Sequence, residues 1–470
     1  MDERLRALMF PRSIAVIGAS ANLATIGGRP LRLLRKHGFK GNLYPVNPKY
    51  AEIDGLRCYP SIGAVGEAID CALIALGRDQ VIPALEACAA AGVRAATVFS
   101  SGFAEVGGEG TRLQQEMTNL ARRTGLRING PNGMGVMNFK EGVVATFSNS
   151  AELERVRPGN LALVAQSGGL AGALLDRSHE LGLGVSHVVS TGNEADVEAS
   201  EYLEYLVEDP ATEVVGAYIE GFRNVERLGR VCERAAQKRK PIIVLKAGSS
   251  TIGREMAASH TAAATGSDDI YNTFFRRHGI IRVADLDELM GTASLLTRYR
   301  HAAGTRLGVF SASGGAAVLI ADECARHGIE LPPLARETQQ ALAPLVGAFS
   351  TLMNPFDPTG QSYNDPSLVK TTFEIFLRDP NFDWILFLIP TVALRMADLF
   401  VDYLLDTAPQ TSKPVLVYCI GGSLSSPVFT ALRDSPLPYY RSLRTCFQAL
   451  AAALRYQDFL GKRQHAKGLR

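Results

Sequence analysis

The chain has 470 residues, 46% of them hydrophobic and 20% charged. That is an ordinary globular composition with apolar material for several cores, and it excludes disorder as the main state. Lys+Arg number 49 against Asp+Glu 47, a formal net charge of +2, which argues against a nucleic-acid binder working by bulk charge. The seven cysteines (Cys58, Cys71, Cys88, Cys232, Cys324, Cys419 and Cys446) are odd in number and show no CxxC spacing. They read as reduced thiols of a reducing compartment and suggest no metal site. MDERLRALMF at the N-terminus lacks the apolar core of a signal peptide, and WILFLIPTVAL at 384–394 is too short to span a bilayer. The expectation is a cytoplasmic protein with neither a membrane nor a nucleic-acid partner.

Short runs of β-branched residues alternate with longer helix-periodic runs, which predicts an α/β protein built on parallel sheets with helices on both faces. The first set of strands is SIAVIG (13–18), NLYPVN (42–47), CALIAL (71–76), AATVFS (95–100) and LRING (126–130). The second is NLALVAQS (160–167), VSHVVST (185–191), VVGAYIEG (214–221), PIIVLKAG (241–248) and IIRV (280–283). The third is RLGVFSAS (306–313), WILFLIP (384–390), PVLVYCIG (414–421) and YYR (439–441). Each set opens with a strand that runs through a Gly/Ser turn into a small-residue helix: VIGAS, VAQSGG and FSASGG. Three consecutive parallel-sheet units are expected at 1–148, 149–300 and 301–460, followed by a basic tail at 461–470.

In such sheets ligands sit outside the carboxyl ends of the strands, where glycine turns and helix N-termini offer backbone N–H groups to phosphates. Gly18, Ala19 and Ser20 form the first such turn, without GxGxxG spacing. NAD-binding folds usually end the second strand with an acid. Here Asn47-Pro48-Lys49 follows it, which disfavours NAD and suits the phosphorylated ribose of coenzyme A. Lys49 reads equally well as a solvated surface lysine. Ser100, Ser101 and Gly102 end the fourth strand on the same rim, and Asn132 follows the fifth. In the second unit Ser167, Gly168 and Gly169 open a helix, either as an anion site or as a cap with close packing. His260 lies in Ala-Ala-Ser-His-Thr-Ala-Ala-Ala, read as a loop of small side chains that leaves the imidazole accessible. Glu220 ends a strand on the same sheet rim. A carboxylate bonded to one imidazole nitrogen makes the other the better nucleophile.

These segments together resemble the NDP-forming acyl-CoA synthetases, the succinyl-CoA synthetase superfamily, and most of all the α subunit of ADP-forming acetyl-CoA synthetase. The resemblance runs from about Ser13 to Tyr456 through VIGAS, YPVNPKY, SSGFAEVGGEG, GPNGMGVMNF, QSGGLAGALL, STGNEADVEASEYLEYL, YIEG, PIIVLKAG, SHT…GSD, FSASGGAAVLIADE and NPFDPTG. It implies a Rossmann-like CoA-binding domain followed by two flavodoxin-like ligase domains. It makes His260 the phosphohistidine and Glu220 its supporting carboxylate. It places CoA on Gly18, Ala19, Ser20, Lys49, Ser100, Ser101 and Gly102, a phosphate cradle on Ser167, Gly168 and Gly169, and the acyl end of the substrate near Asn132. Ala262 stands where the family often has Gly, and Gly77 where it usually has Pro. The resemblance further implies an acid–thiol ligase that interconverts acyl-CoA + ADP + phosphate with carboxylic acid + CoA + ATP. No stretch of the chain reads as an ATP-grasp module, so a separate ATP-grasp β subunit, in an α2β2 assembly, is expected to bring the nucleotide and Mg2+. The alternative is a stand-alone CoA- or acyl-CoA-binding paralogue, regulatory or acyl-transferring, without nucleotide chemistry.

Overall fold

Every one of the expected strand runs forms a strand, and together they build three sheets. The computed structural model describes residues 3–153, 156–261, 267–346, 350–358, 365, 367–390 and 397–468. In the first sheet the order is Asn42–Val46, Ser13–Ile17, Cys71–Ile74, Ala95–Val98 and Arg127–Asn129, all parallel. The strand order reverses between Ser13–Ile17 and Cys71–Ile74, which opens a crevice at their carboxyl ends.

The second sheet runs Ile281–Val283, Ile242–Lys246, Val214–Ile219, Pro158–Ala165 and Val185–Ser190 in parallel. Its order reverses between Pro158–Ala165 and Val214–Ile219. A hairpin of Gly135–Asn138 and Val143–Thr146 then continues it antiparallel beside Val185–Ser190. This hairpin was not among the expected strands: its first arm follows directly on the Gly130–Gly133 turn and reads with it as loop. The third sheet is Leu307–Ser311, Trp384–Ile389, Val415–Cys419 and Tyr439–Tyr440, again parallel.

The chain packs as two bodies, Met1–His179 with Leu183–Leu286, and Glu180–Gly182 with Asp287–Arg470. The first contains the first two sheets. Its central strands are buried on both faces, as helix-covered parallel strands require. The second has an aromatic core. Phe310 stacks on Phe387 with ring centroids 5.2 Å apart, and Phe373 meets Phe387 edge-on at 4.7 Å. Each such pair contributes about 0.5–1.5 kcal/mol beyond its buried area. All seven cysteines are free and buried, and burial pushes the Cys71 and Cys88 thiols up to about 12. Among the described residues no helix is long and apolar enough to cross a membrane.

Candidate active site

The first sheet's rim brings three of the expected segments together. Gly18 has φ +82°, and a Cβ there would fall 2.4 Å from the Ala75 carbonyl oxygen. Only glycine lets this turn lie so close to the end of the neighbouring strand. Ser100 Oγ donates to the Leu76 carbonyl at 2.6 Å, so the turns after three strands form one continuous edge. Asn47 Nδ2 donates to the Ala19 carbonyl at 2.8 Å, and Lys49 N–H donates to Asn47 Oδ1 at 3.0 Å. That pair ties the Lys49 segment to the Gly18-Ala19-Ser20 turn, and Lys49 itself is exposed. The Gly102 N–H is already engaged: it donates to Glu105 Oε1 at 2.6 Å, while Phe103 N–H donates to Glu105 Oε2 at 3.1 Å. Of this turn Ser101 is the residue left facing solvent.

Where the second sheet's rim meets the first, a pocket of ≈ 230 Å³ is lined by Asn132, Ser167, Gly168 and Gly169. Two segments separated in sequence, the expected phosphate cradle and the expected substrate contact, therefore face one cavity. The helix Gly168–Glu180 starts at this wall, so its N-terminal N–H groups and dipole favour an anion there. Phe99, Met134 and Phe147 supply an apolar wall, with Phe99 and Phe147 edge-to-face at 5.0 Å. Asn193 and Gln166 also line the pocket. Asn132 takes φ +60°, its N–H donates to the Ser100 carbonyl at 2.9 Å, and its Nδ2 reaches Asn193 Oδ1 at 3.3 Å. Sequence reasoning gave no role to Phe99, Met134, Phe147 or Asn193. Asn193 carried a usable signal, since it lies in the TGNEADV segment; the apolar three did not.

Glu220 is buried at the crevice where the second sheet's order reverses. Tyr218 Oη donates to Glu220 Oε1 at 3.4 Å. Nearby, Lys246 Nζ lies 4.6 Å from the Tyr271 ring centroid. Burial pulls its pKa down to about 8, with the Asp268 carboxylate working the other way. Glu194 is buried beside Gln166. Desolvation pushes its carboxyl up to about 7, against the lowering effects of the Gln166 hydrogen bond and the Arg223 guanidinium. His260 falls in the last turn of the helix Thr251–Thr261. Its backbone is helical there, not a loop: the helix runs through Arg254, Glu255, Met256, Ala257 and Ala258, all good helix formers, before it reaches His260. The His260 side chain lies outside the described residues. The helix packs beside the Ala104–Val106 turn of the first rim.

The parallel strands of the two sheets that meet at this pocket fall within two known domain families. The CoA binding domain matches residues 12–138, and the succinyl-CoA ligase like flavodoxin domain matches residues 158–296. The chain is 32% identical over 466 residues to the acetate–CoA ligase [ADP-forming] I subunit alpha of Pyrococcus furiosus, covering 97% of this chain and 99% of that one. It is 35% identical to the acetate–CoA ligase [ADP-forming] I of Archaeoglobus fulgidus, across 97% of this chain but 64% of that longer protein. The chain thus spans about two thirds of that relative's length. Among solved structures, the acetyl-coenzyme A synthetase 1 of Ca. Korarchaeum cryptofilum in complex with phosphate and ADP matches at a TM-score of 0.90 and 32% identity, covering 99% of both chains. The chain belongs to the family of ADP-forming acetate–CoA ligases.

Proposed function

We propose that this chain is the CoA- and phosphoryl-handling α subunit of an ADP-forming acyl-CoA synthetase. One observation carries the reading: Asn132 from the first sheet's rim and Ser167, Gly168 and Gly169 from the second line a single pocket. Phosphate held at the helix N-terminus attacks the thioester carbonyl, the C–S bond breaks, and CoA leaves with an acyl phosphate behind it. The acyl group lies against Phe99, Met134 and Phe147. His260 then takes the phosphoryl group and releases the carboxylic acid, and the phosphohistidine passes the phosphoryl group to ADP. Glu220 supports the imidazole. CoA lies on the Gly18-Ala19-Ser20 turn, with Lys49 at its 3′-phosphate and Ser100, Ser101 and Gly102 shaping the far side.

The nucleotide and its Mg2+ belong to an ATP-grasp module outside these 470 residues, in a separate β subunit of an α2β2 complex. The subunit alpha naming of a relative matched over 99% of its length supports this. The chemistry divides so that the chain can be tested alone. With acetyl phosphate and CoA it should form acetyl-CoA and phosphate without any nucleotide. CoA binding without acyl-CoA formation across a panel of acyl phosphates would favour the stand-alone CoA-binding paralogue. Complete ATP-forming activity in the purified single chain would overturn the β-subunit assignment.

A further inference from the structure

Glu220 is held at both poles of its backbone by buried side chains that the reaction above does not use. Its N–H donates to Gln166 Oε1 at 2.5 Å, and its carbonyl accepts from Lys246 Nζ at 2.7 Å. The Gln166 amide is fully engaged. Oε1 also accepts from the Gly221 N–H at 3.1 Å, while Nε2 donates to the Gly221 carbonyl at 2.8 Å and to Glu194 Oε1 at 3.0 Å. Glu194 fixes which way this amide points. A flipped Gln166 would set its oxygen against a carboxyl oxygen and a carbonyl, and its NH2 against two N–H donors.

Glu194 is itself held against strain. Its φ is +56°, uncommon for a residue other than glycine. Its Oε1 also accepts from Thr191 Oγ1 at 2.9 Å and from the Ala199 N–H at 3.1 Å. Arg223 donates to the Glu194 carbonyl at 2.6 Å and to the Asn193 carbonyl at 2.8 Å. A strand end can satisfy its two backbone groups with an ordinary turn. Committing buried Gln, Glu and Lys side chains to it is unfavourable unless every polar group is bonded. What the arrangement gains is a Glu220 that cannot drift.

We propose that Gln166, oriented by Glu194, and Lys246 are positioning residues that hold Glu220 in place for His260. The inference rests on the phosphohistidine reading above. It is tested on the full chain with 32P-labelled acetyl phosphate and Mg2+, by following label that survives alkali and is lost in acid. Glu194→Ala and Lys246→Met should each slow labelling about 10–100-fold, the scale for outer partners of a reacting group. The Kd for CoA should stay unchanged, and amide exchange at Glu220 and Gly221 should speed up. Glu194→Gln keeps an oxygen that can accept the same three hydrogen bonds and should restore most of the rate. Wild-type labelling rates in Lys246→Met and Glu194→Ala, even with a lowered Tm, would overturn the proposal. So would a Glu194→Gln variant as slow as Glu194→Ala. If Glu194→Ala does not fold, the labelling rate of Lys246→Met decides the matter by itself. An unlabelled wild-type chain that still binds CoA instead overturns the phosphohistidine reading, and this inference falls with it.

Discussion

The turns VAQSGG and FSASGG share a plan: a parallel strand runs through a serine, and a helix begins at the next glycine. Their surroundings differ. A Cβ on Gly168 would come within 2.7 Å of Met134 Cγ, because Asn132, Gly133 and Met134 close over that helix N-terminus and make a pocket of it. Around Gly314 and Gly315 no described atom lies within 4 Å of such a Cβ, and Val318 and Leu319 on the same helix are exposed. The local sequence builds a helix N-terminus in both places. A segment more than thirty residues away in sequence turns one of them into a pocket, and it arrives from the end of a different sheet.

The strongest way to break the contrast is His260→Ala. It should abolish the acid-labile, base-stable label and the overall reaction while leaving CoA binding intact, as read by calorimetry. Residual label would place a nucleophile elsewhere, the third sheet's rim included. Glu220→Gln keeps the shape and removes the charge, and should slow labelling roughly 10²–10⁴-fold. A rate within error of wild type would detach Glu220 from the chemistry. Lys49→Ala should weaken CoA by about 1–3 kcal/mol, the range for a charge-assisted hydrogen bond, and leave dephospho-CoA untouched. Equal losses for both ligands would remove Lys49 from the 3′-phosphate.

The paired glycine test is the mildest and the most direct. Gly168→Ala must displace Met134 and should raise the KM for acetyl phosphate, with about 1–3 kcal/mol of overpacking in its stability. Gly315→Ala enters open space within a helix and should stabilise by about 0.4–1 kcal/mol, visible as a higher Tm with activity unchanged. The same response at both positions would mean that the two turns are equivalent after all.

The strand plan was legible because parallel strands covered on both faces read as continuous apolar runs, and SIAVI, VVGAYI and WILFLI each do. The Gly135–Asn138 and Val143–Thr146 hairpin was not, since its arms sit among the glycines and turn residues of 130–142 and read as a continuation of that loop. The cradle residues and Asn132 were legible one at a time, each as a turn. That they line one cavity depends on how two sheets meet, which no local pattern encodes. His260 was expected in a loop, and small residues do read as loop when a functional motif draws the eye. The run of helix formers from Arg254 to Ala258 favours helix instead, and the backbone at His260 continues it. Phe99 and Phe147 look in sequence like any core aromatic. Only their edge-to-face contact at the pocket sets them apart.

The turn at Ser100, Ser101 and Gly102 carries an anion of its own. Glu105 spans the Gly102 and Phe103 N–H groups with its two oxygens, and Asn193 Nδ2 donates to it from the other side. A nest of backbone donors left empty would be open to whatever phosphate or sulfate the solvent offers. Here a residue three positions along the chain fills it permanently. The donors are withdrawn from competition, and the loop is ordered before any ligand arrives, so its conformational entropy is lost on folding and not on binding. On the CoA placement proposed above, the cofactor would meet at this turn a finished contour and the Ser101 side chain, in surroundings that discourage a second negative charge. Discrimination on that side of the rim would then come from fit and from keeping stray anions out.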